Sequence, residues 1–106
     1  MGRFVIVAYA PKPGKGEALM AAVRKHMGVL RAERLVTERP ACVMRAGDGT
    51  VVEVFEWRSA EAIAQAHASP AVQALWAEFG AACDFRPLKD LAECQQLFAE
   101  FEGVEK

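Results

Sequence analysis

The sequence predicts one α+β domain with the element order β-α-β-β-α-β. Three observations predict it: an apolar β-type segment at residues 3–10, an amphipathic segment at 16–32, and a glycine loop at 47–49 between two further β-type segments. The chain has 106 residues, and a single domain over 1–106 of that size can bury a core of its own. Its net charge of −1 gives no basic surface for nucleic acid or an anionic membrane.

The first two elements have the most regular pattern. Residues 3–10 are apolar at nearly every position, which is typical of a strand covered on both faces. Residues 11–14, with two prolines and a glycine, end that strand. Apolar side chains then recur at helical spacing, so residues 16–32 are expected to form an amphipathic helix. The recurring positions are Leu19, Val23, Met27 and Leu30.

A hairpin is expected next. Residues 41–46 and 50–57 have β-type patterns and flank residues 47–49, a short loop whose two glycines suit positive φ. Residues 35–37 are a candidate for one more short strand before it.

A broken helix and a tail complete the chain. Ser59 is placed as the N-cap of one helical segment, and Ser69 followed by Pro70 starts a second. Residues 84–88 are predicted to form the fourth strand. The core is expected to cover about residues 3–90, and residues 91–106 to form an extended arm or an edge strand.

This order of elements is ferredoxin-like: a four-stranded antiparallel sheet carries both helices on one face. The other face would then be bare, yet the first strand has Phe4 and Ile6 on one side and Val5 and Val7 on the other. An exposed apolar face of that size is typical of an interaction surface. We therefore expect a homodimer through the open sheet face, with two sheets closing into a barrel-like core.

Short motifs resemble the antibiotic biosynthesis monooxygenase-like family. They are Glu56-Trp57-Arg58-Ser59, His67-Ala68-Ser69-Pro70 and the Pro13-Gly14-Lys15 opening of the first helix. The resemblance covers nearly the whole chain and implies a dimeric α+β barrel. That family includes cofactor-independent monooxygenases of aromatic polyketides and quinols, and haem-degrading enzymes. The resemblance therefore implies a monooxygenase-like protein that acts on or binds a small aromatic or hydrophobic molecule.

Haem degradation and organic cofactors are not expected. The positions that hold the tryptophan and the haem-ligand histidine of the haem-degrading branch fall here on Ala66 and Trp76. The sequence carries no flavin, nicotinamide or phosphate-loop signature. An oxygenase of this kind would deprotonate its substrate to an electron-rich anion that reacts with oxygen, and Arg45 or Arg86 could stabilise the developing negative charge.

Four side chains are candidates for a pocket between the sheet and the helices. His67 is the expected catalytic base, because imidazole exchanges protons near neutral pH. Trp57, Tyr9 and His26 are the expected substrate-binding residues. A structural interpretation stays open for each: His67 can brace the helix break, His26 can be a buried histidine bonded to backbone, and the aromatic rings can be core.

Two other functions stay open at this stage. One is a non-catalytic dimeric module that binds a small hydrophobic ligand or only itself. The other is a different dimeric-barrel enzyme, an isomerase or a dehydratase. That enzyme needs a second acid–base group near His67, for which His26, Glu53 and Glu56 are candidates.

The cysteines give no framework for a disulfide or a metal. Cys42, Cys83 and Cys94 are odd in number and lack the spacing of a zinc site, so no metal is expected. Cys42 and Cys83 are predicted to be buried as small hydrophobic residues. The apolar run at residues 4–10 is too short to cross a bilayer, and a cytoplasmic location is the default expectation.

Overall fold

A computed structural model describes residues 2–104, so the first residue and the last two residues of the predicted arm lie outside the described part. The chain has the predicted α+β class, with an antiparallel sheet. The strands are β1 Arg3–Pro11, β2 Cys42–Arg45, β3 Val51–Trp57, β4 Cys83–Arg86 and β5 Glu102–Gly103. The helices are α1 Gly16–Ala32, α2 Ala60–His67 and α3 Pro70–Ala82, and 3₁₀ turns cover Leu88–Asp90 and Ala92–Gln95.

The described sheet has five strands, in the order β4-β1-β3-β2-β5, and the prediction of four was therefore wrong. The added strand is the two-residue β5, which pairs Gly103 with Met44 at one edge of the sheet. The sequence offers an edge strand within residues 91–106 only as an alternative to an extended arm, and the Glu-Gly segment that pairs has no apolar pattern of its own. Its place is fixed by contacts with distant β2. The fourth strand ends at Arg86 instead of residue 88, since Pro87 cannot donate to a ladder.

Hydrogen-bonded caps begin α2 and α3 at the predicted positions. Ser59 Oγ accepts a hydrogen bond from the Ala62 N–H at 3.2 Å, and Ser69 Oγ accepts one from the Val72 N–H at 3.3 Å. Each cap satisfies one of the free N–H groups of a helix start. Pro70 takes the first position of α3, where its missing N–H costs nothing. The two helices are thereby kept as separate segments.

The predicted hairpin forms between β2 and β3. Gly49 has φ of 93°, in the region that favours glycine, and Asp48 Oδ1 accepts from the Thr50 N–H at 2.9 Å. The candidate strand at residues 35–37 is reduced to one bridge between Val36 and Trp57.

The two faces of the sheet are covered differently. On the helix face, the side of the sheet that α1 and α3 cover, side chains of β1 and β3 such as Tyr9, Val51 and Phe55 are buried. These positions alternate with Ala8 and Val52, which point to the other side, the open face. The predicted placement of both helical segments on one face therefore agrees with the observed packing.

The open face is only half bare, because the C-terminal arm folds back over it. Leu91 of the arm is 1% exposed and packs with Ala8 and Val52. Beyond the arm, Phe4 and Ile6 are 56% and 50% exposed. The arm thus belongs to the core on one half of the face and leaves an apolar patch on the other.

The prediction for the cysteines was half right. Cys83 is buried, and its thiol donates to the Phe79 carbonyl at 3.1 Å. Cys42 is exposed, because it lies on the open face opposite Val54, on the half that the arm does not cover. Cys42 does lie in a strand, as predicted, but on the half of the open face against which nothing packs among the described residues.

Candidate functional site

An apolar pocket of about 370 Å³ lies between the helix face of the sheet and the helices. We call it the main pocket. It is lined by Val5, Val7, Tyr9, His26, Phe55, Trp57, Ile63, His67, Trp76, Phe79 and Phe85. The four side chains that the sequence nominates, Tyr9, His26, Trp57 and His67, therefore lie around one cavity. Its size is within the range of small-molecule sites, and its walls are mostly aromatic.

A buried hydrogen-bonded cluster stands behind the wall of the main pocket. Glu53 Oε1 accepts from the Tyr9 hydroxyl at 2.6 Å and lies 2.8 Å from His26 Nδ1. Glu53 is 0% exposed, and His26 and Tyr9 are 4% and 2% exposed. The fold builds this cluster because β1 and β3 are adjacent and α1 crosses their helix face. Such a carboxylate is tolerated in a core only with good donors.

The donors around Glu53 fix where the protons lie. Burial and the neighbouring Glu53 raise the pKa of Tyr9 far above its usual range, so its phenol stays protonated and donates. An ionised Glu53 only accepts, so in that state the contact uses the His26 tautomer that carries its proton on Nδ1. The other ring nitrogen of His26, Nε2, makes no hydrogen bond within residues 2–104. In the neutral imidazole that nitrogen is the basic one.

The His26 ring is held in place by aromatic neighbours. Its centroid lies 5.1 Å from that of Phe55 and 5.0 Å from that of Phe79, both in edge-on geometry. Phe79 also stacks on Tyr9 at 4.8 Å. These contacts, with the bond to Glu53, leave the imidazole little freedom to rotate. The open alternative of a backbone-bonded histidine does not describe His26, whose partner is a carboxylate.

His67 has a different environment from His26. It is exposed and lines the main pocket, and its ring meets the Trp76 ring edge-on at 4.9 Å. No hydrogen bond to its ring is present among the described residues, whereas its backbone carbonyl accepts from the Gln73 side chain. The bracing of the helix break therefore comes from the His67 backbone, and its imidazole is left at the rim.

The tryptophans share the wall of the main pocket. Trp57 is buried and packs 5.3 Å from the Phe55 ring, so it is both core and lining. Trp76, which the sequence assigns to the core, is half-buried and lines the cavity beside His67. Tyr9 lines it with its ring, while its hydroxyl points to Glu53.

Charged residues proposed to assist the chemistry mostly lie elsewhere. Arg86 binds Asp48 at 2.7 Å and Thr50 at 2.8 Å, and neither Arg86 nor Arg45 lines the main pocket. Glu56 pairs with Phe4 of β1 on the open face, away from His67. The expectation that one of these arginines assists at the pocket is thus wrong.

The sequence offers Glu53 only as a partner for His67, and the structure joins it to His26 instead. A signal was present in the sequence, because Glu53 is a lone acid in the apolar run of residues 51–55. An acid at a position whose neighbours in register are buried needs specific donors. Its partners, 27 and 44 positions away, are brought there by the fold.

Among residues 2–104, no group of three or more histidine, cysteine, aspartate or glutamate side chains could hold a metal ion. None of the helices in this part of the chain combines the length and apolarity needed to cross a membrane. Comparisons with protein-family models, curated proteins and solved structures gave no significant match. The main pocket and the groups around it are therefore the basis for assigning a function.

Proposed function

We propose that this chain binds a small planar aromatic molecule in the main pocket and removes a proton from it, with His26 as the base. The observation that carries the proposal is the buried His26–Glu53 pair, in which His26 Nδ1 lies 2.8 Å from Glu53 Oε1. His26 also lines an aromatic cavity of about 370 Å³. An imidazole with one nitrogen fixed by a carboxylate and the other unbonded is a recurrent arrangement for a general base.

The proton moves to His26 Nε2, and the resulting imidazolium is stabilised by Glu53. Tyr9 keeps its own proton and holds the Glu53 carboxylate in position. Because the pocket is apolar, the attraction between imidazolium and carboxylate is stronger there than in water. The substrate anion is left beside a protonated imidazole, which also offsets the new negative charge.

The resemblance to the antibiotic biosynthesis monooxygenase-like family supports oxygenation as the next step. A phenolic anion is electron-rich enough to react with oxygen without an organic cofactor. In the balanced reaction of an anthrone, a ring CH₂ becomes C=O; in that of a quinol, a ring C–H becomes C–OH and the two phenol groups become carbonyls. In both, one atom of O₂ enters the product and the other leaves as water. The substrate supplies all the electrons that reduce the oxygen.

Oxygen uptake on a panel of quinols and anthrones tests this function. His26→Asn keeps a donor near the position of Nδ1 but has no basic nitrogen toward the pocket, so we expect a rate loss of at least about 100-fold. His67→Ala is the matched control, and we expect it to retain most of the rate because its ring has no carboxylate partner. Thermal unfolding of both variants checks that they fold.

Equal oxygen uptake by wild type and His26→Asn would remove His26 from the mechanism. Absence of turnover across the panel, together with a small molecule retained in native mass spectrometry, would instead support the non-catalytic binding module. The two readouts therefore separate catalysis from binding.

An isomerase is the second candidate, and one observation favours it. His26 and His67 both line the main pocket, so one imidazole could take a proton and the other return it at a different carbon. In that case His67→Ala would lower the rate as much as His26→Asn. In deuterated water and without oxygen, the reaction would replace carbon-bound protons of a ketone substrate by deuterium, which NMR would detect.

We also propose that two copies pair through the open face, as in a ferredoxin-like dimeric α+β barrel. The half of that face beyond the arm exposes Phe4 and Ile6, with Cys42 beside them. Ile6→Lys should weaken the dimer by roughly 2 kcal/mol or more. Ala77→Lys, on the exposed side of α3, is the control. Light scattering measures both, and a wild-type monomer at micromolar concentration would contradict the proposal.

A further inference from the structure

A second cavity, of about 210 Å³, is lined by none of the residues of the main pocket. It lies between α1 and β2, next to the end of the arm. Its apolar walls are Met20, Val23, Met27, Ala41, Val43 and Val104. An apolar cavity of about 150 Å³ is known to hold a benzene ring, so a monocyclic molecule with a substituent fits this volume.

A residue that lines the second cavity has a carboxylate oxygen without a hydrogen-bond partner among residues 2–104. Glu53 lines this cavity, and its side chain is 1% exposed. Glu53 Oε1 is hydrogen-bonded to both Tyr9 and His26, whereas Oε2 is buried without a hydrogen-bond partner among residues 2–104. A buried carboxylate oxygen left in this state is costly, so Glu53 has an acceptor that a donor entering from the cavity would satisfy.

The mouth of the second cavity carries a positive charge. Arg24 lines the cavity but is exposed, and it makes no ion pair within the described part of the chain. The lining therefore combines a buried acceptor, a guanidinium and apolar valine and methionine side chains. A guanidinium at such a mouth is suited to a carboxylate or phosphate.

We propose that the second cavity binds a small monocyclic molecule with a hydrogen-bond donor at one end and an anionic group at the other, such as a hydroxylated aromatic carboxylate. Its hydroxyl donates to Glu53 Oε2, its ring packs between Met27 and Val43, and its carboxylate pairs with Arg24. Because Glu53 also holds His26, an occupant here and one in the main pocket affect each other's affinity equally.

Calorimetric titration with three probes tests the chemistry of the site. para-Hydroxybenzoate has both end groups, benzoate lacks the donor, and phenol lacks the anion. We expect para-hydroxybenzoate to bind at least about tenfold more tightly than either, since each charge-assisted hydrogen bond contributes to affinity. Arg24→Gln should reduce its affinity to that of phenol and leave phenol binding unchanged.

Two filling variants locate the binding. Ala41→Leu fills the second cavity and should abolish binding of para-hydroxybenzoate, whereas Ile63→Trp fills the main pocket and should leave it intact. If Ala41→Leu does not fold, Val104→Phe fills the same space from the arm.

Equal affinity for all three probes, no binding at millimolar concentration, or loss of binding only in Ile63→Trp would each overturn the proposal. The probes need not react, so this site can fail while oxygen uptake succeeds, and the reverse.

Discussion

Two carboxylates of one strand differ in burial and in bonding partners because they lie on opposite faces of the sheet. Glu53 and Glu56 are both in β3, three positions apart, and point to opposite sides. Glu53 is fully buried on the helix face and bound by Tyr9 and His26. Glu56 is half-buried on the open face and paired with Arg39 at 3.0 Å. On the helix face, the carboxylate is bound by side chains from two other elements. On the open face, an exposed arginine is a sufficient partner.

The largest expected effect comes from removing the buried carboxylate. Glu53→Ala leaves the Tyr9 hydroxyl and His26 Nδ1 without an acceptor, so the free energy of unfolding should fall by about 3 to 5 kcal/mol. Glu56→Ala, the matched change on the open face, should cost clearly less because Arg39 remains in water. Urea denaturation measures both. Equal losses would break the distinction between the two faces.

The arm should be the next most sensitive region. Leu91→Ala removes a fully buried side chain and is expected to cost about 2 to 4 kcal/mol. Leu97→Ala changes a fully exposed leucine of the same arm and should stay within about 0.5 kcal/mol. If Leu91→Ala were as mild as Leu97→Ala in denaturant titrations, the arm would not be part of the core.

Thiol labelling compares the faces by reaction rate. Cys42 on the open face should react with an aromatic disulfide reagent at least about tenfold faster than Cys83. Burial raises the pKa of the Cys83 thiol, so less of it is thiolate at a given pH. Mass spectrometry after partial labelling identifies the modified site. Slowing of the Cys42 reaction at high protein concentration would support the proposed dimer, and equal rates would refute the assignment of faces.

The smallest expected effect is a pH dependence at the hairpin. The Thr50 N–H and Arg86 lower the pKa of Asp48 from 3.8 to about 2. A lowered pKa gives stability that is present above the ordinary pKa and is lost as the pH falls through the window from about 4 to about 2. Asp48→Asn should therefore be less stable than wild type near neutral pH, with the gap closing in that window.

Because the Asp48 side chain is 52% exposed, the gap should be small. Urea midpoints measured above and inside the window give it directly. A gap that stays constant with pH would show that ionisation of Asp48 has no part in it.

Local pattern was sufficient to predict most of the fold. The strand at residues 3–10 and the serine caps depend on neighbours in sequence, and the structure has both. The expected cover on both faces of that strand is incomplete, since Phe4 and Ile6 are exposed. The fold-back of the arm was not predictable, because Leu91 and Leu97 differ in burial only through the distant residues they meet. The exposed Cys42 follows from the same cause.

In the candidate site, too, local sequence indicates which residues approach the cavity but not which of them pair. Trp57 and His26 could be nominated because strand ends and apolar helix stripes approach cavities. The pairing of His26 with Glu53 depends on where α1 crosses the sheet, which spacing along the chain does not encode. The roles of His26 and His67 in catalysis stay predictions that oxygen uptake can test.

Both tryptophans of this protein, Trp57 and Trp76, line the main pocket. Their fluorescence therefore arises at one location, with no background from indoles elsewhere in the chain. A planar molecule that enters should quench or shift that emission, and one bound only in the second cavity should leave it nearly unchanged. The native protein is thus its own optical sensor for the main pocket, and ligands can be screened without a label.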